Sequence, residues 1–143
     1  MFSNSSKYAL KAVLYLAINS DFDNKIAVKD IAQPINVPQA YIAKLLQKLS
    51  REDIISSTRG PKGGFYLNAT DKKKSIMDII NAIDGEGKLE SCLLSLENCN
   101  AERPCPLHQL AYPLKTKMIM NFNKKTIEEL ATDIQEGHTA LPL

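Results

Sequence analysis

Apolar residues recur at three- and four-residue intervals along most of the chain, the period of an amphipathic helix. From Ser3 to Ser20, Tyr8, Ala9, Ala12, Val13, Leu16 and Ala17 form a broad apolar face behind the cap candidates Ser3, Asn4 and Ser5. That pattern predicts a helix buried on more than one side. Val28 to Gln33 predicts a short helix that Pro34 brings to its end. Ile35-Asn36-Val37 predicts a tight turn, with Asn36 suited to the left-handed conformation. Pro38 is expected at the first position of the next helix, which runs to about Ser50. On that helix Ile42, Leu45, Leu46 and Leu49 share one face, and polar and basic residues hold the other. Two short helices across a tight turn predict a helix-turn-helix.

The period then shortens. Ile54 to Thr58 and Phe65 to Leu67 read as strands around the loop Arg59 to Gly64, so a hairpin, or wing, is expected. Helical spacing returns at Ser75, where Ser75 and Asp78 form a capping box ahead of Ile76, Ile79, Ile80 and Ile83, and Gly85 stops the helix. Positions 85–104 show little pattern of either kind, and a long irregular loop in a small domain usually has a function. Pro106 to Phe122 predicts a long helix with Leu107, Leu110, Ala111, Leu114 and Met118 on one face and a kink or restart at Pro113. Thr126 and Glu129 cap a last helix to about Glu136, with a frayed tail after Gly137.

Composition narrows the class. The 143 residues and 44% hydrophobic content suit one domain with a real core. No apolar run approaches 18 residues, and the N-terminus lacks the pattern of a secretory signal, so a cytoplasmic protein without a membrane span is expected. Net charge is +2, but Lys25 to Lys74 holds ten basic and four acidic residues, a net of +6. The segment from Ser75 to the C-terminus holds six basic and ten acidic, a net of −4. A basic middle suggests a polyanion-binding module. No paired carboxylates or nucleophile motif point to an enzyme, and the wing lacks the G-K-S/T of a nucleotide-binding loop.

In a winged helix-turn-helix the second helix enters the major groove, and its first residues reach base edges. Those residues are Gln39, Ala40 and Tyr41. Gln39 can bond an adenine edge in two places, whereas Tyr41 either stacks on the DNA or is half-buried. Lys44 and Lys48 are expected on phosphates, Arg59 and Lys62 project from the wing, and Lys29 on the preceding short helix joins the DNA-binding set. A protein-binding adaptor built on the same fold is the rival reading, and the basic middle favours nucleic acid.

The irregular loop carries the remaining chemistry. Cys92, Cys99 and Cys105 are all the cysteines of the chain, and His108 follows three residues later. An odd number suits a disulfide framework poorly, and thiolate with imidazole suits zinc, iron or an iron–sulfur cluster. Gaps of six and five residues are wider than the short knuckles of zinc folds.

The stretches I-A-V-K-D-I-A, P-Q-A-Y-I-A-K-L-L-Q-K-L and I-I-S-S-T-R-G-P-K-G-G-F-Y-L resemble the Rrf-two family of winged-helix regulators. The likeness continues through D-I-I-N-A-I-D-G and T-I-E-E-L-A, and so covers nearly the whole chain. It implies a mainly α fold in three parts: a winged helix-turn-helix DNA-binding domain over 1–84, a cluster loop over 85–106, and a long dimerisation helix with a C-terminal helix over 107–143. It further implies a homodimer on a palindromic double-stranded operator, acting as a repressor.

IscR- and NsrR-like members of the family carry three cysteines in this loop and bind an iron–sulfur cluster. The resemblance implies Cys92, Cys99 and Cys105 as ligands and His108 as the fourth ligand of the IscR type, which holds a 2Fe–2S cluster. NsrR-like members use a carboxylate near the start of the first helix, but Lys7-Tyr8-Ala9 offers none, which favours 2Fe–2S over 4Fe–4S. The first gap is one residue longer than in those members. Ala43 stands where IscR-like members carry an acid that tunes DNA choice, so their operators are not carried over. The alternative is a cluster-free or zinc-binding regulator that senses thiol oxidation or a small molecule.

Overall fold

The computed structural model describes residues 3–94 and 100–143. Cys99 therefore lies outside the described residues. The chain opens with α1 (Asn4–Asn19), capped by the Ser3 hydroxyl on the Ser6 N–H. Ser6, Ala9, Ala12, Val13, Leu16 and Ala17 are all buried, so α1 is a central element with other helices packed on several sides. Small residues on that face let its neighbours approach closely.

Helix α2 (Val28–Ile35) runs two residues past the predicted end at Gln33, because a proline near a helix end removes only one hydrogen bond. Asn36 adopts φ 60° and ψ 54°, the left-handed turn expected of it, and α3 follows (Gln39–Arg51). Pro38 caps α3 from outside rather than occupying its first turn, with an extended ψ of 134°. Ile42, Leu46 and Leu49 are fully enclosed, and Leu45 nearly so.

Strands β1 (Ser56–Thr58) and β2 (Gly64–Tyr66) pair antiparallel, with Ser57 opposite Phe65. Ile54 and Ile55 are core residues ahead of the strand rather than part of it. Ile26, just before α2, joins the far edge of β2 through two backbone bonds with Phe65, at 2.9 and 2.8 Å. The buried Ser20 hydroxyl donates to Leu16 O at 2.6 Å and accepts from Leu67 N–H at 3.2 Å. It thereby fastens the end of α1 to the base of the wing.

Two short elements add to those that the periodicity predicts. One is α4 (Ala69–Lys72), opened by a reciprocal capping box of Asn68 and Asp71 that the N-x-x-D spacing announces. The other is a 3-10 turn over Lys88–Glu90, which buries Leu89. The remaining helices are α5 (Ile76–Asp84), α6 (His108–Lys124) and α7 (Ile127–Gln135). Pro113 neither splits nor restarts α6, which runs as one helix across it. Ile127 and Ala131 of α7 join the same core as α1, α2, α3 and α5. A second, smaller cluster of Ile76, Met77, Ile80 and Leu89 receives Met118, Ile119 and Phe122 of α6. The single apolar stripe expected on α6 thus divides. Leu110 and Leu114 are 71% and 70% exposed, while Met118 is half-buried.

The ends of α1 and α5 are tied together. Asp84 accepts from the Ser3 N–H at 2.9 Å and from the Ser3 hydroxyl. Burial by itself would raise the Asp84 pKa, but the two Ser3 hydrogen bonds and the Lys88 charge outweigh it and hold the carboxyl below its ordinary 3.8. A depressed carboxyl contributes stability that is complete above the unfolded value and lost as pH falls through the folded one. Asp84→Ala is expected to lower stability by about 1 kcal/mol near neutral pH, given its partial exposure. Acid titration of both proteins followed by circular dichroism should show that difference vanishing below the ordinary carboxylate value.

Candidate nucleic-acid interface and cysteine site

The core of α1, α2 and α3 leaves the outer side of α3 free. Gln39 and Ala40 at its start and Lys44 one turn on are exposed, as are Lys29 on α2 and Arg59 and Lys62 in the wing turn. Tyr41 and Lys48 are placed differently. Tyr41 is half-buried, with its hydroxyl 2.8 Å from the Ser5 hydroxyl and its ring edge-on to Tyr8 at 5.8 Å. Lys48 is half-buried and donates to the Ile83 carbonyl at 2.8 Å. Tyr41 thus takes the half-buried alternative, and both side chains help to orient α3 against α1 and α5.

Between α3 and the wing lies an open groove of about 490 Å³, lined by Gln47, Ser50, Arg51, Thr58 and Arg59 among others. Arg51 and Gln47 sit on the polar face of α3, but only the tertiary fold brings them beside the wing. Two guanidinium groups in one groove suit a polyanion backbone.

The wing turn depends on close backbone approach. A Cβ on Gly63 would stand 2.3 Å from Thr58 O, and one on Gly64 would stand 2.7 Å from Ile26 O. Gly64 also adopts φ +152°, which side-chain-bearing residues avoid.

The structure brings Cys92 and Cys105 together across thirteen residues, with their Sγ atoms 3.5 Å apart. Cys92 is buried and Cys105 half-buried, and the Cys92 sulfur also accepts from Leu94 N–H at 3.4 Å. Two thiolates at about 2.3 Å from one tetrahedral metal stand about 3.8 Å apart, so the pair fits shared metal ligation. His108 opens α6, its backbone N–H bonded to Cys105 O at 3.0 Å and its ring stacked on Tyr112 at 4.9 Å. Among the described residues no three histidine, cysteine or acidic side chains gather into a metal-holding set.

Lys115 is the one buried residue of α6, only 7% exposed, and its ammonium donates to the Ser91 carbonyl beside Cys92. Nothing in the local sequence marks it, since Lys117, two residues on, is exposed. His108 and Lys115 lie seven positions apart, hence on one face of α6 and about 10 Å apart along its axis.

A helix-turn-helix with an exposed polar recognition face and a glycine-built wing defines a DNA-binding transcriptional regulator, not an enzyme. The chain belongs to the Rrf2 family, whose model, described as an iron-dependent transcriptional regulator, matches residues 2–133. A protein of Aquifex aeolicus, named among the HTH-type transcriptional regulators, is 36% identical over 96% of this chain and 95% of its own length. The HTH-type transcriptional regulator IscR of Vibrio parahaemolyticus is 28% identical over 92% of this chain and 77% of its own. The solved structure of CymR, the global cysteine regulator of B. subtilis, shares the fold, with a TM-score of 0.75 at 21% identity over 92% of this chain and 96% of that one. Among the described residues, no helix is long and apolar enough to cross a membrane.

Proposed function

We propose that the protein is a cytoplasmic repressor that binds a palindromic operator as a homodimer. Its affinity is governed by an iron–sulfur cluster on Cys92, Cys99, Cys105 and His108. The observation that carries the cluster reading is the approach of the Cys92 and Cys105 sulfurs to 3.5 Å from opposite ends of the loop. The placement of His108 at the start of α6, on the face that meets the loop, supports its role as fourth ligand. A cluster, when bound, would supply one-electron redox chemistry and bonds between the two ends of the loop, and 2Fe–2S is the form that the likeness to IscR-type members implies.

Dimerisation is supported by Leu110 and Leu114, one turn apart and exposed together with Tyr112 and Met120 along α6. Leu110 and Leu114 share one side of the helix, and exposed apolar side chains of this size on a helix suit a contact surface for a second chain. Regulation follows from what α5 touches. Its carbonyl at Ile83 holds Lys48 of the recognition helix, and Asp84 holds the start of α1. The cysteine loop leaves from this same end of α5. A loop that favours one placement of α5 by about 1–3 kcal/mol changes operator affinity about 5–150-fold.

Gln39 reads bases, while Lys44, Lys29, Arg59 and Lys62 hold phosphates. Lys44→Ala is expected to weaken binding to every duplex alike and to reduce the salt slope by about 0.9 per phosphate contact. Gln39→Ala is expected to cost about 1–3 kcal/mol on the preferred operator alone. Band-shift titration at two salt concentrations separates the two results.

The second reading rests on the same sulfur pair. Without iron, two thiols 3.5 Å apart suit zinc ligation or oxidation to a disulfide in a cluster-free sensor. Iron, sulfide and zinc content after anaerobic purification decides between them. A brown protein with iron and sulfide supports the cluster. A colourless protein that takes up no iron on anaerobic reconstitution overturns it.

A further inference from the structure

We propose that Lys115 is a positioning residue of the cysteine site, whose buried ammonium holds the Ser91 carbonyl and sets the reduction potential of the iron–sulfur cluster. This rests on the cluster reading above. The observations are the 7% exposure of Lys115, its hydrogen bond to a carbonyl 24 residues away, and the covalent link from that carbonyl to Cys92. A lysine on an exposed helix usually sends its ammonium into water along an apolar stem. Lys115 instead turns inward and ends on the backbone of the ligand loop. The contact joins α6, which carries His108, to the segment that carries Cys92.

Two consequences follow from elementary geometry and charge. The Ser91–Cys92 peptide is planar and trans, so fixing its carbonyl toward α6 directs the Cys92 N–H the opposite way and limits how Cys92 can turn. Covalent lengths also keep the ammonium within about 8 Å of the Cys92 sulfur. A cluster becomes more negative when it accepts an electron. A fixed positive charge nearby, away from water, favours the reduced form and raises the potential, as net charge and hydrogen bonding do at such clusters generally.

The test uses the full chain as Lys115→Met and Lys115→Arg. Arginine keeps the charge and a donor, and methionine keeps only the stem. In the reduced, cluster-free chain, amide hydrogen exchange over 88–94 should speed up in Lys115→Met and stay near wild type in Lys115→Arg. In anaerobically reconstituted protein, the potential of Lys115→Met should fall by at least the equivalent of a tenfold change in the oxidised-to-reduced ratio, about 59 mV for one electron. That of Lys115→Arg should stay close to wild type. Unchanged exchange in Lys115→Met, or an unchanged potential with the cluster bound, overturns the inference and leaves the cluster reading intact. A wild-type chain that binds no iron overturns the cluster reading and the charge role with it. Faster exchange in Lys115→Met then still supports the anchoring role.

Discussion

Gly63→Ala is expected to weaken DNA binding about 10–100-fold per protomer while leaving most of the helical fold in place. The added Cβ would meet Thr58 O at 2.3 Å and the Arg59 carbonyl carbon at 2.7 Å. Both are backbone atoms, so no rotamer relieves the clash and the turn itself must move. Forced shifts of this kind cost about 1–3 kcal/mol locally. The turn carries Arg59 and Lys62, so both cations leave the positions from which they would meet phosphates. Each lost contact removes about 0.9 from the salt slope, or roughly tenfold in affinity at 0.1 M salt relative to 1 M. A band-shift series across salt concentrations should show a slope smaller by about 2 per protomer. Helical circular dichroism close to wild type would localise the effect, since the helices bury their faces without the wing tip. Gly60→Ala provides the contrast. Gly60 has φ +102° but no atom within 4 Å of an added Cβ, so only conformational strain opposes that change. Equal losses from the two variants would rule out the steric account.

Cys105→Ala is expected to weaken iron binding at least 100-fold, leaving anaerobically reconstituted protein near background in iron and sulfide. Even outer-shell changes at metal sites lower affinity about 10–100-fold, and a lost thiolate removes a bond to the metal itself. Cys105 is the sharper probe of the pair because Cys92 is more deeply buried, and replacing Cys92 disturbs packing as well as ligation. His108→Ala is expected to retain some cluster with an altered visible spectrum, because three thiolates remain. Iron retention at the wild-type level in Cys105→Ala would remove this residue from the ligand set. Thermal unfolding of the cluster-free proteins should nearly coincide, which separates loss of ligation from loss of fold.

Where periodicity and capping act within a few residues, the elements were readable in advance. The buried faces of α1 and α3, the left-handed Asn36 and the capping boxes at Ser75 and Thr126 stand as the sequence predicts. Short-range chemistry suffices for these, since an N-cap or an i, i+4 apolar pair is decided inside one or two turns. Sequence and structure differ where position along a helix rests on one residue type. Helix α2 runs two residues past the Gln33 end read from Pro34, Pro38 stands one place outside its helix, and α6 does not restart at Pro113. A proline removes one hydrogen bond, and packing around it determines whether the helix continues.

Side-chain direction was the part that lay beyond local pattern. Lys44 and Lys48 read alike as basic residues on one helix, four apart. Yet Lys44 is exposed, and Lys48 is drawn to the carbonyl end of α5, 35 residues away. Tyr41 likewise turns toward Ser5 and Tyr8 once α1 lies across it.

The chain order alone determined a helix-turn-helix, a glycine wing and a reserve of soft donors between two helices, because each is written in short-range spacing. Tertiary structure alone decided that Cys92 meets Cys105, that Arg51 faces the wing groove, and that Lys115 is buried against Ser91. Those contacts join residues beyond the reach of one or two helical turns, and only the packing of the elements that carry them settles which come into reach.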